Sequence, residues 1–193
     1  MPRLYDLTWS KPAPLVERYL RKVVDERVDH RGGIERALDP SDAERAVDAL
    51  LAEKVEAIAV CLLNSFANPV HEAVLKRILE RKAPHLPTSL SFEVLPEIKE
   101  YERTSTTVIN AYVMPIVATY LRALRKGLDS AGIPARLLLM QSNGGLTTDS
   151  AAAERPMNII ESGPAGGVVG AQALARAKDL GKIITFDMGG TTA

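Results

Sequence analysis

The sequence predicts an α/β fold, and three observations carry that prediction. A continuously apolar, β-branched run over roughly residues 55–63, including Ala57-Ile58-Ala59-Val60-Cys61-Leu62-Leu63, lies between two stretches of helical periodicity. That is the pattern of a strand buried on both faces with helices covering it. A second set of strand and helix patterns begins at Leu137, and the chain ends on an apolar segment, Ile183-Ile184-Thr185-Phe186, that enters Asp187-Met188-Gly189-Gly190-Thr191-Thr192.

Pro12 and Pro14 make the opening residues extended, and Leu15 to Val24 has mixed periodicity. Glu26 to His30 and Ile34 to Leu38 flank Arg31-Gly32-Gly33, whose glycines supply the positive φ of a tight turn, so a β-hairpin is expected. Ser41-Asp42-Ala43-Glu44 has capping-box spacing with Ser41 as the cap. A helix over 41–54 follows, with Ala46, Val47, Leu50 and Leu51 on one face.

After the buried strand, Asn68-Pro69 opens a helix to about residue 82 with Val70, Val74, Leu75, Ile78 and Leu79 inward, and a short strand is expected over Ser89 to Val94. Tyr101 to Thr107 opens the longest helical pattern, with Val108, Tyr112, Val117, Leu121, Leu124 and Leu128 at helical spacing. Pro115 inside it predicts a kink or break, and Gly132-Ile133-Pro134 ends it. The second set then reads strand Leu137 to Met140, loop Ser142 to Gly145, strand Met157 to Ile160, a Gly-rich turn, a helix to about Lys178, and the terminal strand.

With 46% hydrophobic and 25% charged residues, the 193-residue chain has a globular composition able to bury a core. Lys plus Arg and Asp plus Glu are each 24, so no basic excess points to nucleic acid or an anionic membrane. No stretch is read as the roughly 20 apolar residues of a membrane span, and the N-terminus lacks the apolar core of a secretion signal. A single cysteine, Cys61, excludes disulfides within the chain, and its apolar surroundings read as a buried, unreactive thiol. A cytoplasmic protein is expected.

Two segments could carry chemistry. Ser162-Gly163-Pro164-Ala165-Gly166-Gly167-Val168-Val169-Gly170 opens a helix, so its N–H groups and the positive end of the helix dipole can face an anion. Asp187 at a strand end, followed by Gly189, Gly190, Thr191 and Thr192, combines a carboxylate for Mg²⁺ with backbone and hydroxyl donors for phosphate. Ala165-x-Gly167-x-x-Gly170 with Asp187 also approaches the dinucleotide fingerprint, which keeps a Rossmann-type NAD(P) binder open, although Ala165 replaces its first glycine. For both segments the plainer alternative is glycine serving close packing or a turn.

Other candidates are Arg103, which could take a substrate carboxylate bidentately or pair with a Glu, and Gln141, Ser142 and Asn143 at a strand's C-terminal end, where α/β sheets bind ligands. His71 and Glu72 read as a helix-surface pair, and no metal spacing involves all three histidines.

Leu95 to Tyr112, Met140-Gln141-Ser142-Asn143-Gly144-Gly145, Ser162 to Gly167 and Phe186 to Ala193, with Asn64-Ser65-Phe66-Ala67-Asn68-Pro69-x-His71-Glu72, together resemble the hydantoinase A and 5-oxoprolinase family, in its order and spacing across nearly the whole chain. The resemblance implies parts of two RNase H-like lobes of an actin-like ATPase fold. Residues 1–95 would be the end of the first lobe, 96–135 a connecting long helix, and 136–193 the start of the second. It further implies ATP and Mg²⁺ as cofactors, with Asp187 catalytic and holding the metal, and with Gly163, Gly166, Gly167, Gly189, Gly190, Thr191 and Thr192 on the nucleotide.

The implied reaction is cleavage of a cyclic amide, a hydantoin or 5-oxoproline, by phosphorylating the ring's carbonyl oxygen so that water can open it. A second, hydantoinase B-type subunit is the implied partner. The family's first Gly-Gly-Thr phosphate motif does not precede Leu4. The expectation is therefore an internal fragment, truncated at both ends and inactive alone, with a non-catalytic subunit-interaction piece as the alternative.

Overall fold

The computed structural model describes residues 5, 8–10 and 12–189 of the chain. After a 3₁₀ turn, Arg18–Leu20, strands β1 (Arg27–Val28) and β2 (Ile34–Arg36) form the expected antiparallel hairpin with a bulge at Arg27/Val28. Gly32 has φ +88°, and a Cβ there would stand 3.1 Å from the carbonyl oxygen of Ala67, so the turn is both left-handed and pressed against a second loop. That loop clamps the hairpin: Asn64 Nδ2 donates to Val28 O at 2.9 Å and Asn68 Nδ2 to Gly32 O at 2.8 Å.

Helix α1 (Pro40–Ala52) is capped two residues earlier than the capping box suggested. Asp39 is the N-cap, its Oδ1 accepting from Ser41 N at 2.9 Å, with Pro40 at the first helical position where a missing N–H costs nothing. Glu44 reaches not back to the cap but across to Arg81 and Lys82 of α2 (Val70–Lys82). Ala43 and Val47 form the buried stripe of α1.

Strand β3 (Ile58–Val60) pairs in parallel with β4 (Thr88–Leu90), Ile58 opposite Thr88, with α2 as the crossover between them. The strand expected over 89–94 is thus split: Ser91–Val94 turns into a short helix, α3. The core sits here, built from Leu38, Ala43, Val47, Ile58, Val60, Leu75, Ile78, Leu79 and Leu90.

Helix α4 (Glu100–Ser130) runs 31 residues and continues through Pro115 without a break. Its end is a Schellman arrangement, with Gly132 at φ +70°, Ile133 N bonding Leu128 O at 2.9 Å and Gly132 N bonding Asp129 O at 3.0 Å. By length and composition alone α4 is long and apolar enough to cross a membrane, which corrects the reading that no stretch approaches that length. A core helix passes the same test, and α4 carries the fully buried polar residues Arg103, Thr107 and Asn110.

Beyond α4, β5 (Leu138–Met140) and β6 (Leu146–Thr148) make an antiparallel hairpin, followed by α5 (Asp149–Glu154) with Thr148 as its cap. Two further expectations are corrected. Residues 156–159 form a 3₁₀ turn opened by Pro156, which cannot donate to a ladder, rather than a strand. The segment Ile183 to Phe186 is not a strand: among the described residues it has no ladder partner, and Ile184 and Phe186 are 97% and 79% exposed. Helix α6 (Ser162–Ala177) takes the glycines of 163–170 into its own first turns, so they are helix and not a turn before it.

Candidate functional site

The Gln141–Gly145 loop, the first turns of α6 and the segment around Asp187 come together in the C-terminal region. Gly163, Gly167 and Gly170 are spaced i, i+4, i+7 and so share one face of α6, stripped of side chains. A Cβ added at Gly163 or Gly170 would meet nothing within 4 Å, whereas one at Gly167 would lie 3.9 Å from Asp187 Oδ2. The carboxylate expected to serve a metal therefore faces the bare side of the helix expected to serve phosphate. No side chain caps α6, and Pro164 in its first turn has no N–H to leave unpaired, so the helix's positive end is open.

Gly166 looks the other way, its Cβ position 3.6 Å from Met140 Cγ of β5, and absence of a side chain there lets α6 lie close on the hairpin. The β5–β6 loop packs on the same helix, since a Cβ at Gly144, whose φ is +82°, would touch Val169 Cγ2 at 3.1 Å. Asn143 Oδ1 accepts from Gly145 N at 2.8 Å, and both Asn143 Oδ1 and Gln141 Oε1 lie over Gly145. The Asn143 amide and the Gln141 backbone, whose N donates to Gly145 O at 2.8 Å, hold the loop's own shape. Ser142 does more: its N and Oγ donate to Asn158 O at 2.7 and 2.9 Å, and its Oγ accepts from Glu161 N, the cap residue of α6, at 3.3 Å. Asp187 and Gly189 are exposed, while Gly190, Thr191 and Thr192 lie outside the described residues.

The other sequence candidates sit apart, in the N-terminal region. Arg103 is fully buried on α4, donating to Glu97 O at 2.7 Å, Leu62 O at 3.1 Å and Glu100 Oε2 at 2.7 Å, with its guanidinium 5.6 Å from the Phe66 ring. A guanidinium so enclosed fastens the 62–66 and 97–100 loops to α4 and presents no donor to a carboxylate arriving from solvent. Glu72 is likewise fully buried, not a surface residue as read. Its oxygens accept from Leu62 N at 2.8 Å, Ser91 Oγ at 2.6 Å and Phe92 N at 3.2 Å. His71, 5% exposed, contacts Glu26 through Nδ1 at 2.6 Å and accepts from Leu38 N through Nε2 at 3.3 Å, which fixes the tautomer with hydrogen on Nδ1. Burial, with Glu72 nearby, pushes the Cys61 thiol up to about 12, so the thiol stays neutral and unreactive.

Among the described residues no group of three His, Cys, Asp or Glu converges to hold a metal ion. The Rossmann alternative fails on geometry, because its fingerprint needs a strand, a Gly-rich loop and a helix in succession. Here a 3₁₀ turn precedes, and the glycines are inside α6.

Comparison with known proteins identifies the family of this α/β chain. The Hydantoinase/oxoprolinase N-terminal region matches residues 1–83 and Hydantoinase/oxoprolinase matches residues 103–193. The chain belongs to the hydantoinase/oxoprolinase family. It is 40% identical over its whole length to an uncharacterised protein of Methanocaldococcus jannaschii, of which it covers 28%. With caprolactamase subunit alpha of Pseudomonas jessenii it shares 34% identity over 97% of this chain and 27% of that one. The crystal structure of the ATP-dependent caprolactamase from that organism superposes with a TM-score of 0.87 over 97% of this chain. A nucleotide-free acetone carboxylase structure, from work on ATP-dependent acetone carboxylation, superposes at 0.75 with 29% identity, covering 88% of this chain and 24% of that one. The chain thus spans about a quarter of the length of these relatives.

Proposed function

We propose that this chain is part of an ATP-dependent hydrolase that opens cyclic amides of the hydantoin or 5-oxoproline kind, and that it carries one side of the nucleotide site. The observation that carries the reading is Asp187 set against the bare face of α6 at Gly167. In this reading the first-turn N–H groups of α6 and the segment Gly189-Gly190-Thr191-Thr192 hold phosphate oxygens, while Asp187 holds or orients Mg²⁺. A single carboxylate fits that ion, which takes one or two from protein and the rest from phosphates and water. ATP, when bound, supplies the phosphoryl group that makes the ring oxygen a leaving group. This chain's residues bind and orient it.

The larger frame in this reading is an actin-like ATPase, with 1–95 and 136–193 as parts of two RNase H-like lobes and 96–135 as the helix between them. Arg103, Gln141 and Asn143 support that framework rather than touching substrate. A hydantoinase B-type subunit completes the enzyme in the cytoplasm, and the named relatives that are subunits support a partner of that kind. Among relatives, ring opening is favoured over carboxylation by the higher TM-score and identity with the caprolactamase, 0.87 and 34% against 0.75 and 29%.

The test is ATP hydrolysis by the full-length subunit that contains this chain, with the second subunit present, and with hydantoin, 5-oxoproline or a lactam offered against acetone with bicarbonate. Turnover should depend on a ring and vanish in Asp187→Ala. Unchanged turnover in that variant, or stimulation by acetone alone, contradicts the assignment.

A further inference from the structure

Asn110 lies in the first half of α4, is fully buried, and uses both ends of its amide on elements from the N-terminal and C-terminal regions. Its Nδ2 donates to Ser89 Oγ of β4 at 3.1 Å and to Glu154 O at the end of α5 at 3.1 Å, and its Oδ1 accepts from Met157 N at 3.3 Å. The next residue, Asn158, offers its carbonyl to Ser142 N and Oγ, and the Ser142 hydroxyl accepts from Glu161 N at the start of α6. A continuous line of hydrogen bonds and peptide units thus runs from the N-terminal sheet, through one side chain, to the loop and helix end of the candidate site.

Helix α4 packs against β4, α5 and the 156–159 turn, and the Asn110 bonds add direction to that packing. A cleft of about 480 Å³ opens beside Asn110, lined among others by Lys76, Ser89, Glu93, Glu154 and Arg155, so solvent separates the two regions on that side. Directional bonds hold distance and register where packing is interrupted, and a buried amide left half-paired is unfavourable enough to enforce them.

We infer that Asn110 is a positioning residue: it sets where the Ser142 loop and the first turn of α6 stand relative to the N-terminal sheet. The inference rests on reading that turn as the phosphate cradle. No other side chain of similar size does the same work. Leucine satisfies none of the three partners, and aspartate keeps the bond from Met157 N but faces the Glu154 carbonyl oxygen with another acceptor.

The test is amide hydrogen exchange of the full chain, without nucleotide, in Asn110→Asp, Ser142→Ala and the double variant. Protection at Ser142 and Glu161 should fall about tenfold in Asn110→Asp, the loss of one net hydrogen bond, while β3 and α1 keep theirs. In the Ser142→Ala background, Asn110→Asp should add nothing further at Glu161. Loss confined to Met157, loss spread evenly to β3, or additive losses at Glu161 overturns the inference. Should Asn110→Asp fail to fold, Asn110→Ser is read by the same amides. Because nucleotide is absent, failure here leaves the phosphate reading to its own test with Asp187→Ala.

Discussion

The two regions joined by α4 treat their polar residues in opposite ways. In the N-terminal region Glu72, His71, Arg103, Ser65 and Ser91 are buried, and each is held by partners across a packed core. In the C-terminal region Asp187 is exposed, the helix end is uncapped, and among the described residues the buried apolar side chains are small, Ala152, Pro156 and Ala175. Large apolar side chains there face outward, among them Leu146 at 61%, Leu174 at 62% and Ile184 at 97% exposed. Residue types suited to chemistry occur in both; Glu72, His71 and Arg103 of the first are enclosed, whereas Asp187 of the second is exposed. Charge and hydroxyl content therefore mark the framework as readily as the site, and enclosure tells which is which.

That contrast can be attacked by substitution. Glu72→Ala should have the largest effect, because it removes a fully buried carboxylate that accepts from Leu62 N, Ser91 Oγ and Phe92 N, and only Ser91 Oγ has another partner, Ser65 Oγ. A loss of about 4 kcal/mol is expected from urea unfolding. Arg103→Leu removes the donors to two loop carbonyls and should lose about 3 kcal/mol by the same measurement. Leu174→Lys or Ile184→Lys in the other region should change stability by less than about 0.5 kcal/mol, since both already face solvent. A large loss there would mean the C-terminal region is packed after all.

The smallest effect concerns acid. Hydrogen bonds from the Ser41 hydroxyl and amide hold the Asp39 carboxyl below its ordinary value. A lowered folded value means a stabilising contribution present above about pH 4, the unfolded value, and lost as pH falls through the folded one. Asp39→Asn should lower thermal stability slightly above about pH 4 and flatten its fall below that, so that variant and parent converge in acid.

Much of the N-terminal fold was legible because local signals and burial agree there: the Arg31-Gly32-Gly33 turn, the apolar run at 58–60 and the periodicity of α2 each reappear as the element they suggest. The cap of α1 moved from Ser41 to Asp39 because Pro40 favours the first helical position, a cue that outweighs capping-box spacing. Misreadings gather in the C-terminal region. Ile183 to Phe186 has strand composition, but a strand exists only with a partner, and residues 157–160 were assigned by composition across a Pro that opens a turn.

Within the candidate site, Gly167 and Asp187 were both legible as types, and their meeting is a fact of the fold alone. Ser142 was legible as a candidate at a strand's C-terminal end, but Asn110 was not, since an asparagine within a helix carries no local signal. Arg103 meets the second of its two expectations, pairing with Glu100, whereas Glu72 misled as a surface residue because only enclosure shows that it fastens loops.

The most direct test of the central claim is a titration of the chain with MgATP, followed by backbone amide chemical shifts. The account predicts perturbations gathered at residues 162–167 and 187–192, abolished in Asp187→Ala, with His71, Glu72 and Arg103 unmoved. Shifts centred on those three residues, or no shift at saturating MgATP, would contradict it.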